Sequence, residues 1–365
     1  MDQYLFNYMC LNHYITFNKA TKRALKSYFK EIQNINWNFV DQNRAYFGID
    51  NVIRLPVGND YTIMKAQVNQ FYRKMNQMDT TYVTPHDWCY PNRFRMFEPL
   101  SELLFCKGDR NLLNETKTVA VVGTRTPSVY GKKVAYALGR FLGEREINVI
   151  SGMALGIDGI VHEGVLSVGG KTTAVLASGV NRPYPARHKN IYNQIMDTGG
   201  LIISENRLDE MPMKHHFPMR NRLISGLADV VIIVEASEKS GSLITARYGL
   251  DQGRFLFAVP GNIDHRNAAG TNQLIYDGAV PLLKFEDILT SMNWQTEKKF
   301  TNLEKCELSE NCRRIYELLV DRETLKIGEL QHLLKLDMGT VNSAVMELIL
   351  AECCEYVSID EIQIK

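Results

Sequence analysis

Glycines paired with hydroxyl residues recur where this chain must turn: Gly123-Thr124-Arg125, Ser151-Gly152, Ser178-Gly179, Ser240-Gly241-Ser242 with Thr245, and Pro260-Gly261. Glycine lets backbone N–H groups approach a ligand closely, hydroxyls add donors, and helix N-termini favour anions. One such turn means little, because every α/β protein has some. Several on one sheet edge, with Arg125 beside the first, point to a site for phosphate. The densest stretch is MKHHFPMRNRLISG, 213–226. There Lys214, Arg220 and Arg222, with Asn221 completing the R-N-R block, offer charge-assisted donors to phosphate oxygens. Phe217 offers a flat face on which a base can stack. The same residues could instead serve the fold, with Pro218 in the first turn of a helix, Phe217 in the core, and the arginines paired to acids such as Glu205 or Glu235.

The elements that must position these turns are legible between Lys117 and about Leu289. Short β-rich runs recur there: TVAVV (118–122), NVI (148–150), TTAVLA (172–177), LIIS (201–204), DVVIIVE (229–235), FLFAV (255–259) and VPLL (280–283). Segments of helical length separate them. Near-continuous apolar runs, rather than alternating ones, predict strands covered on both faces, hence an α/β, doubly wound, mostly parallel sheet. Ligands of such sheets sit at the carboxyl ends of the strands, where the unusual turns fall. Residues 1–85 read as a helical domain with a basic face (Lys19, Lys22, Arg23, Lys26, Lys30), which suits a solvated surface or a nucleic-acid patch. The expected order is this domain, a Rossmann-like core over 86–290, a polar linker over 291–308, and a winged-helix-like domain over 309–365. From Leu336 onward six carboxylates face a single base, Lys365, which argues against a DNA-reading helix in that last domain.

Composition narrows the class. With 45% hydrophobic and 23% charged residues and a net charge of +1, the chain is an ordinary globular one, and nucleic-acid binding must come from a local patch. No apolar run approaches the roughly 18–20 residues of a membrane span. The segment MDQYLFNYMC lacks the pattern of a secretory signal. Seven scattered cysteines without a C-x-x-C pair suit free thiols in a reducing cytoplasm. GVLSVGGKTT (164–173) fails as a P-loop, because Gly170 stands where the lysine is needed and a strand follows. No G-x-G-x-x-G follows the first strand. His162-Glu163 lacks the second histidine of a zinc helix and is expected on a helix surface, while His215-His216 are expected to point apart. Neither catalytic residues, nor a metal, nor a cofactor is therefore expected.

VAVVGTR, SGMALGID, AVLASGV with YP, LIISE, FPMRNRLISGL, VVIIVEA, SGSLITA, GRFLFAVPG and GTNQLIYDGA follow one another here. In order and spacing they resemble the DNA-processing protein A (DprA/Smf) family of bacterial transformation proteins. The resemblance runs from about Tyr82 to Leu289. It implies an extended Rossmann-like core that binds single-stranded DNA without catalysis, forms a homodimer, and passes the strand to RecA recombinase. Arg125 matches the family's arginine after Gly-Ser/Thr; Lys214 and Phe217 match its lysine and aromatic before R-N-R. The expected DNA contacts are Gly123, Thr124, Arg125, Ser151, Gly152, Lys214, Phe217, Arg220, Asn221, Arg222, Ser240, Gly241 and Ser242. The chain departs from the family at Leu155, where relatives often carry a basic or polar residue, and in lacking an N-terminal Gly-Ile-Gly hairpin signature. The alternative is a nucleotide-processing enzyme of the phosphoribohydrolase type on the same sheet. Its P-G-G-x-G-T signature is missing, since GGLIISE (199–205) lacks the proline and threonine.

Overall fold

The computed structural model describes residues 2–96, 100–294, 309–322, 324–351, 353–358 and 360–364. These form two compact units, Met1–Trp294 and Gln295–Lys365. The first opens with helix α1 (Gln3–Met9), a π-helical turn (Cys10–Tyr14), α2 (Lys19–Phe29), α3 (Trp37–Gln42) and α4 (Gly58–Gln77). Asp2, Asn18 and Asn36 start α1, α2 and α3 by accepting hydrogen bonds from backbone N–H groups that a helix leaves unpaired at its first turn. On α2 the basic face is largely solvated, although Lys26 pairs with Glu102 and Lys22 reaches Asn12.

The α/β expectation holds. After β1 (Thr81–Val83), α5 (Asn92–Arg95) and β2 (Leu104–Gly108), strands and helices alternate: β3 (Thr118–Val122), α6 (Val129–Glu144), β4 (Asn148–Ser151), α7 (Ile157–Leu166), β5 (Thr172–Val175), α8 (Lys189–Asp197) and β6 (Leu201–Ser204). There follow α9 (His216–Leu227), β7 (Val230–Ile233), α10 (Ser242–Asp251), β8 (Phe255–Ala258), α11 (Ala269–Tyr276), β9 (Val280–Pro281) and α12 (Glu286–Ser291). The sheet order is β1-β2-β6-β5-β4-β3-β7-β8-β9, with β2 antiparallel to both its neighbours, β1 and β6, and every other pair parallel. Every residue of β3 to β7 is buried, as the unbroken apolar runs required. Helices α6, α7 and α12 cover one face through Leu138, Val161 and Ile288; α9 and α10 cover the other through Leu223, Ile224 and Ala246. Each fully buried aliphatic of this kind contributes about 1.5–3 kcal/mol.

Two boundaries differ from the sequence reading. The sheet starts at β1, inside the segment read as helical. The helical segment also shares a core with the sheet: Leu5, Phe6 and Met9 join one cluster with Phe105, Leu176 and Ile202. A domain that hides its apolar face on its neighbour has no separate core. At the other end the first unit runs through α12 to Trp294, which packs on the sheet. Residues 295–308, most of the expected linker, lie outside the described residues.

The second unit runs α13 (Glu310–Arg322), β10 (Thr324–Lys326), α14 (Ile327–Leu334), α15 (Met338–Leu350), β11 (Cys354–Tyr356) and β12 (Glu361–Ile364). Its antiparallel sheet has the order β10-β12-β11, and its own core gathers Ile315, Leu319, Leu330, Val345, Leu348 and Ile362. Among the described residues no helix is long and apolar enough to cross a membrane.

Candidate nucleic-acid interface

The strand order reverses at β3, so the crevice of a doubly wound sheet opens where β3 and its neighbour β7 end. Gly123-Thr124-Arg125 form the turn after β3. Thr124 is held from both sides: its N–H donates to the Glu235 carbonyl at the end of β7 (2.7 Å), and its carbonyl accepts from Ile157 N–H at the start of α7 (3.2 Å). That approach requires Gly156, whose φ is +81° and where a Cβ would lie 2.3 Å from the Thr124 carbonyl oxygen. With its backbone fixed, Arg125 projects into solvent. Its guanidinium sits 4.9 Å from the centroid of the Phe217 ring, a cation–π arrangement. Among the described residues no carboxylate pairs with it.

Phe217 lies in the first turn of α9, followed by Pro218, whose missing N–H costs nothing there. The ring is half-buried and outside the core clusters, tilted at 60° to the ring of Tyr184, 5.9 Å away. Lys214, in the turn before α9, is exposed. The fold therefore gathers Arg125, Phe217, Tyr184 and the α9 start into one place. Tyr184 was missed in the sequence, where Y-P read only as part of a family block. The exposed Arg182 and Arg187 flank it along the chain.

Other expected contacts are committed elsewhere. Arg220, one turn beyond Phe217, points inward and is 6% exposed. It donates to the Gly152 carbonyl (2.7 Å) and to the Val175 carbonyl. Burial lowers its pKa to about 10, against the opposing charge of Asp158. Gly152 is buried against this guanidinium: a Cβ there would lie 2.5 Å from Arg220. Ser151 is fully buried and donates to the Val121 carbonyl (2.6 Å). Arg222 pairs with Glu205 (2.6 Å) and donates to the Leu100 carbonyl. Ser151, Gly152, Arg220 and Arg222 are thus structural, which corrects the sequence reading. Ser242 is 7% exposed and shares a hydrogen bond with Ser240 (Oγ–Oγ 2.7 Å). Ser240 and Gly241 keep accessible surface at the start of α10, and the Asn221 amide reaches the Gly241 carbonyl (3.4 Å).

Asp158 carries the arrangement and was not singled out in the sequence. Its buried carboxylate accepts from the N–H groups of Gly152 (3.1 Å), Gly123 and Ala154, tying the turns after β3 and β4 together. Burial pushes its carboxyl up, while Arg220 and these N–H groups pull the other way. The motif SGMALGID held the signal: an acid closing a glycine-rich turn has few other reasons to be there.

Two minor readings also change. His162 is fully buried rather than on a helix surface, with Nδ1 2.8 Å from the Thr172 hydroxyl, and burial lowers its pKa to about 3. The rings of His215 and His216 do not point apart but meet edge to face at 4.4 Å. Among the described residues no group of His, Cys, Asp and Glu is placed to hold a metal ion. Glu235 is spent on Ser128, accepting from its N–H (2.9 Å) and its hydroxyl.

Fold and site define an α/β protein with a Rossmann-like sheet whose crevice carries a cation over an aromatic face instead of a phosphate-binding loop. Residues 81–293, more than half of the chain, match the family model described as DNA recombination-mediator protein A, and the chain belongs to that family. DNA processing protein DprA of Bacillus subtilis (strain 168) is 36% identical over 236 residues, covering 63% of this chain and 79% of that protein. The X-ray structure of DNA processing protein A from Streptococcus pneumoniae matches with a TM-score of 0.65 at 30% identity, over 80% of this chain and 98% of that one. DNA processing protein A from Helicobacter pylori, whose structure was described for a single-stranded DNA binding mode, matches with a TM-score of 0.51 at 33% identity, over 58% of this chain and 96% of that one.

Proposed function

We propose that this chain binds single-stranded DNA without catalysis and mediates its transfer to RecA recombinase, acting as a cytoplasmic homodimer with no cofactor. One observation carries the DNA reading: the unpaired, exposed Arg125 lies over the half-buried Phe217 ring at the mouth of the crevice. A cation for phosphate beside a flat face for a base is what a sequence-tolerant single-strand site needs. Lys214 adds a second phosphate contact, Thr124 and Gly123 a turn that approaches the backbone, and Asn221, Ser240 and Gly241 polar groups further along the edge. Tyr184 supplies a second aromatic surface. The family's description as a recombination mediator, and the single-stranded DNA bound by its Helicobacter pylori relative, support the same reading. Hand-over to RecA and dimerisation rest on the family resemblance.

The competing reading, a phosphoribohydrolase-like enzyme, needs a free carboxylate in the crevice. Glu205 and Glu235 are both engaged, by Arg222 and Ser128. We read the acidic C-terminal unit, with its helix–strand–helix–helix–hairpin order, as a winged-helix-like accessory domain rather than a DNA reader. The deciding experiment is a titration of single-stranded and blunt duplex oligonucleotides across a salt series, with RecA loading onto the bound strand as a second readout. Single-strand preference with steep salt dependence is expected; equal affinity for duplex would refute the proposal.

A further inference from the structure

A cleft of about 730 Å³ in the first unit lies between the helical N-terminal segment and the loop after β6. Two of its lining groups are donors without acceptors, and a third is a histidine nitrogen that donates in its Nε2–H tautomer. The guanidinium of Arg207 packs against the rings of Tyr14 (5.5 Å) and Phe71 (5.8 Å), and among the described residues no carboxylate pairs with it. The Nδ2 of Asn12 and the Nε2 of His13 are shut off from solvent and have no hydrogen-bond partner. The Asn12 amide has a fixed orientation, because its oxygen accepts from Lys22 (3.3 Å) and so leaves the N–H₂ group as the idle end.

Both residues sit in the π-helical turn Cys10–Tyr14, a local distortion that costs regular hydrogen bonding and is common at ligand sites. A polar atom buried without a partner is costly, so two in one wall call for a ligand that satisfies them. The carboxylates of the cleft do not supply it: Asp209 pairs with Lys74, and Glu210 accepts from the Arg207 N–H and faces His216. A cation finds no free ligand oxygen among these groups; an anion finds the Arg207 guanidinium, the Asn12 amide and, in its Nε2–H tautomer, His13.

We propose that this cleft binds a phosphate group, held by Arg207, Asn12 Nδ2 and His13 Nε2. The lowering of the His13 pKa to about 4, by burial and then by Arg207 and Lys22, fits a wall that already carries positive potential. A volume of this size takes a mononucleotide. It also takes one phosphate of a DNA strand running along the carboxyl edge of the sheet from β3 towards β6. The shared chemistry is the phosphate, and the experiment separates the two sources.

The test uses the full-length protein and two cleft variants, Arg207→Gln and the isosteric Asn12→Asp, which places a carboxylate where the anion would sit. Inorganic phosphate and AMP are titrated by calorimetry and thermal shift against chloride at matched ionic strength. A single-stranded oligonucleotide is titrated in parallel. Binding of phosphate or AMP that Asn12→Asp abolishes, that Arg207→Gln weakens about tenfold and that Phe217→Ala leaves unchanged supports a small-molecule site. Reduced oligonucleotide affinity with a shallower salt slope in both cleft variants assigns the phosphate to DNA. The inference is overturned if phosphate and AMP act no differently from chloride and both folded variants bind the oligonucleotide like the parent. Phe217→Ala makes failure of this site distinguishable from failure of the crevice site.

Discussion

The stack of Arg125 on Phe217 makes a quantitative demand on the DNA-binding energy. Phe217→Ala removes a base-stacking face worth about 1–3 kcal/mol. It also removes the platform that holds the Arg125 guanidinium 4.9 Å from the ring, an interaction of about 0.5–1 kcal/mol when exposed. Arg125→Ala removes one phosphate contact, so the salt slope should fall by about 0.7. Were the two side chains independent, Phe217→Ala would leave that slope untouched. With the stack in place, Arg125 loses its preferred position as well, so the slope should fall partway and the double variant should lose less than the two single losses combined. A coupling of about 0.5–1 kcal/mol is expected. Affinities from fluorescence anisotropy with a short single-stranded oligonucleotide, measured over a salt series for parent, single and double variants, give both quantities. Melting curves run beside them, because Phe217 is half-buried and its loss should cost well under the ~3–5 kcal/mol of a core phenylalanine. Strict additivity would refute the stack as a binding unit; collapse of the fold in Phe217→Ala would place the ring in the core instead.

Asp158→Ala should destabilise by about 3–5 kcal/mol, since it leaves Arg220 buried without its counter-charge, and a melting temperature close to the parent's would contradict that role. Lys214→Ala, at an exposed position, should leave the melting temperature unchanged and lower the salt slope by about 0.7; no change in slope removes it from the interface. Arg222→Ala should show the reverse, reduced stability with little effect on salt slope, because its partner is Glu205 rather than a phosphate. Acid should destabilise the first unit. His13 and His162 have pKa values lowered to about 4 and about 3, so the unfolded chain takes up protons that the folded chain refuses. Stability is then fully present above about pH 6.5 and is lost as the pH falls towards those values, and a flat melting temperature from pH 7 to 5 would count against it.

The sheet was legible because its strands are buried on both faces: TVAVV and LIIS have no polar face to blur the pattern, and each is a strand over those residues. Strand β2, LFCKG, was missed as a strand because it pairs antiparallel at the margin of the sheet and mixes apolar with polar residues. The boundary at residue 85 failed for another reason. Helical periodicity in α1 and α4 reports an apolar face but not what covers it, and here that cover is the sheet itself.

The site shows the sharper limit. Arg125 and Arg220 are the same residue type, each beside a glycine-rich or polar turn, and sequence alone assigns both to phosphate. Position on the fold separates them. Arg125 closes the turn after β3, which is pinned at Thr124, and its side chain is exposed. Arg220 follows Phe217 by three residues, nearly a full turn of α9, and both side chains face the strand ends. Phe217, at the open first turn, meets Arg125 and the solvent; Arg220, one turn deeper, meets the carbonyls that end β4 and β5. Those carbonyls need a donor, and Asp158 supplies the counter-charge that lets a guanidinium be that donor. One arginine therefore fixes the floor on which the other is displayed. A charge-conserving change separates the two roles: Arg220→Lys, one point charge in place of a fork that serves two carbonyls, should lower stability, whereas Arg125→Lys should keep the salt slope while weakening the stack on Phe217.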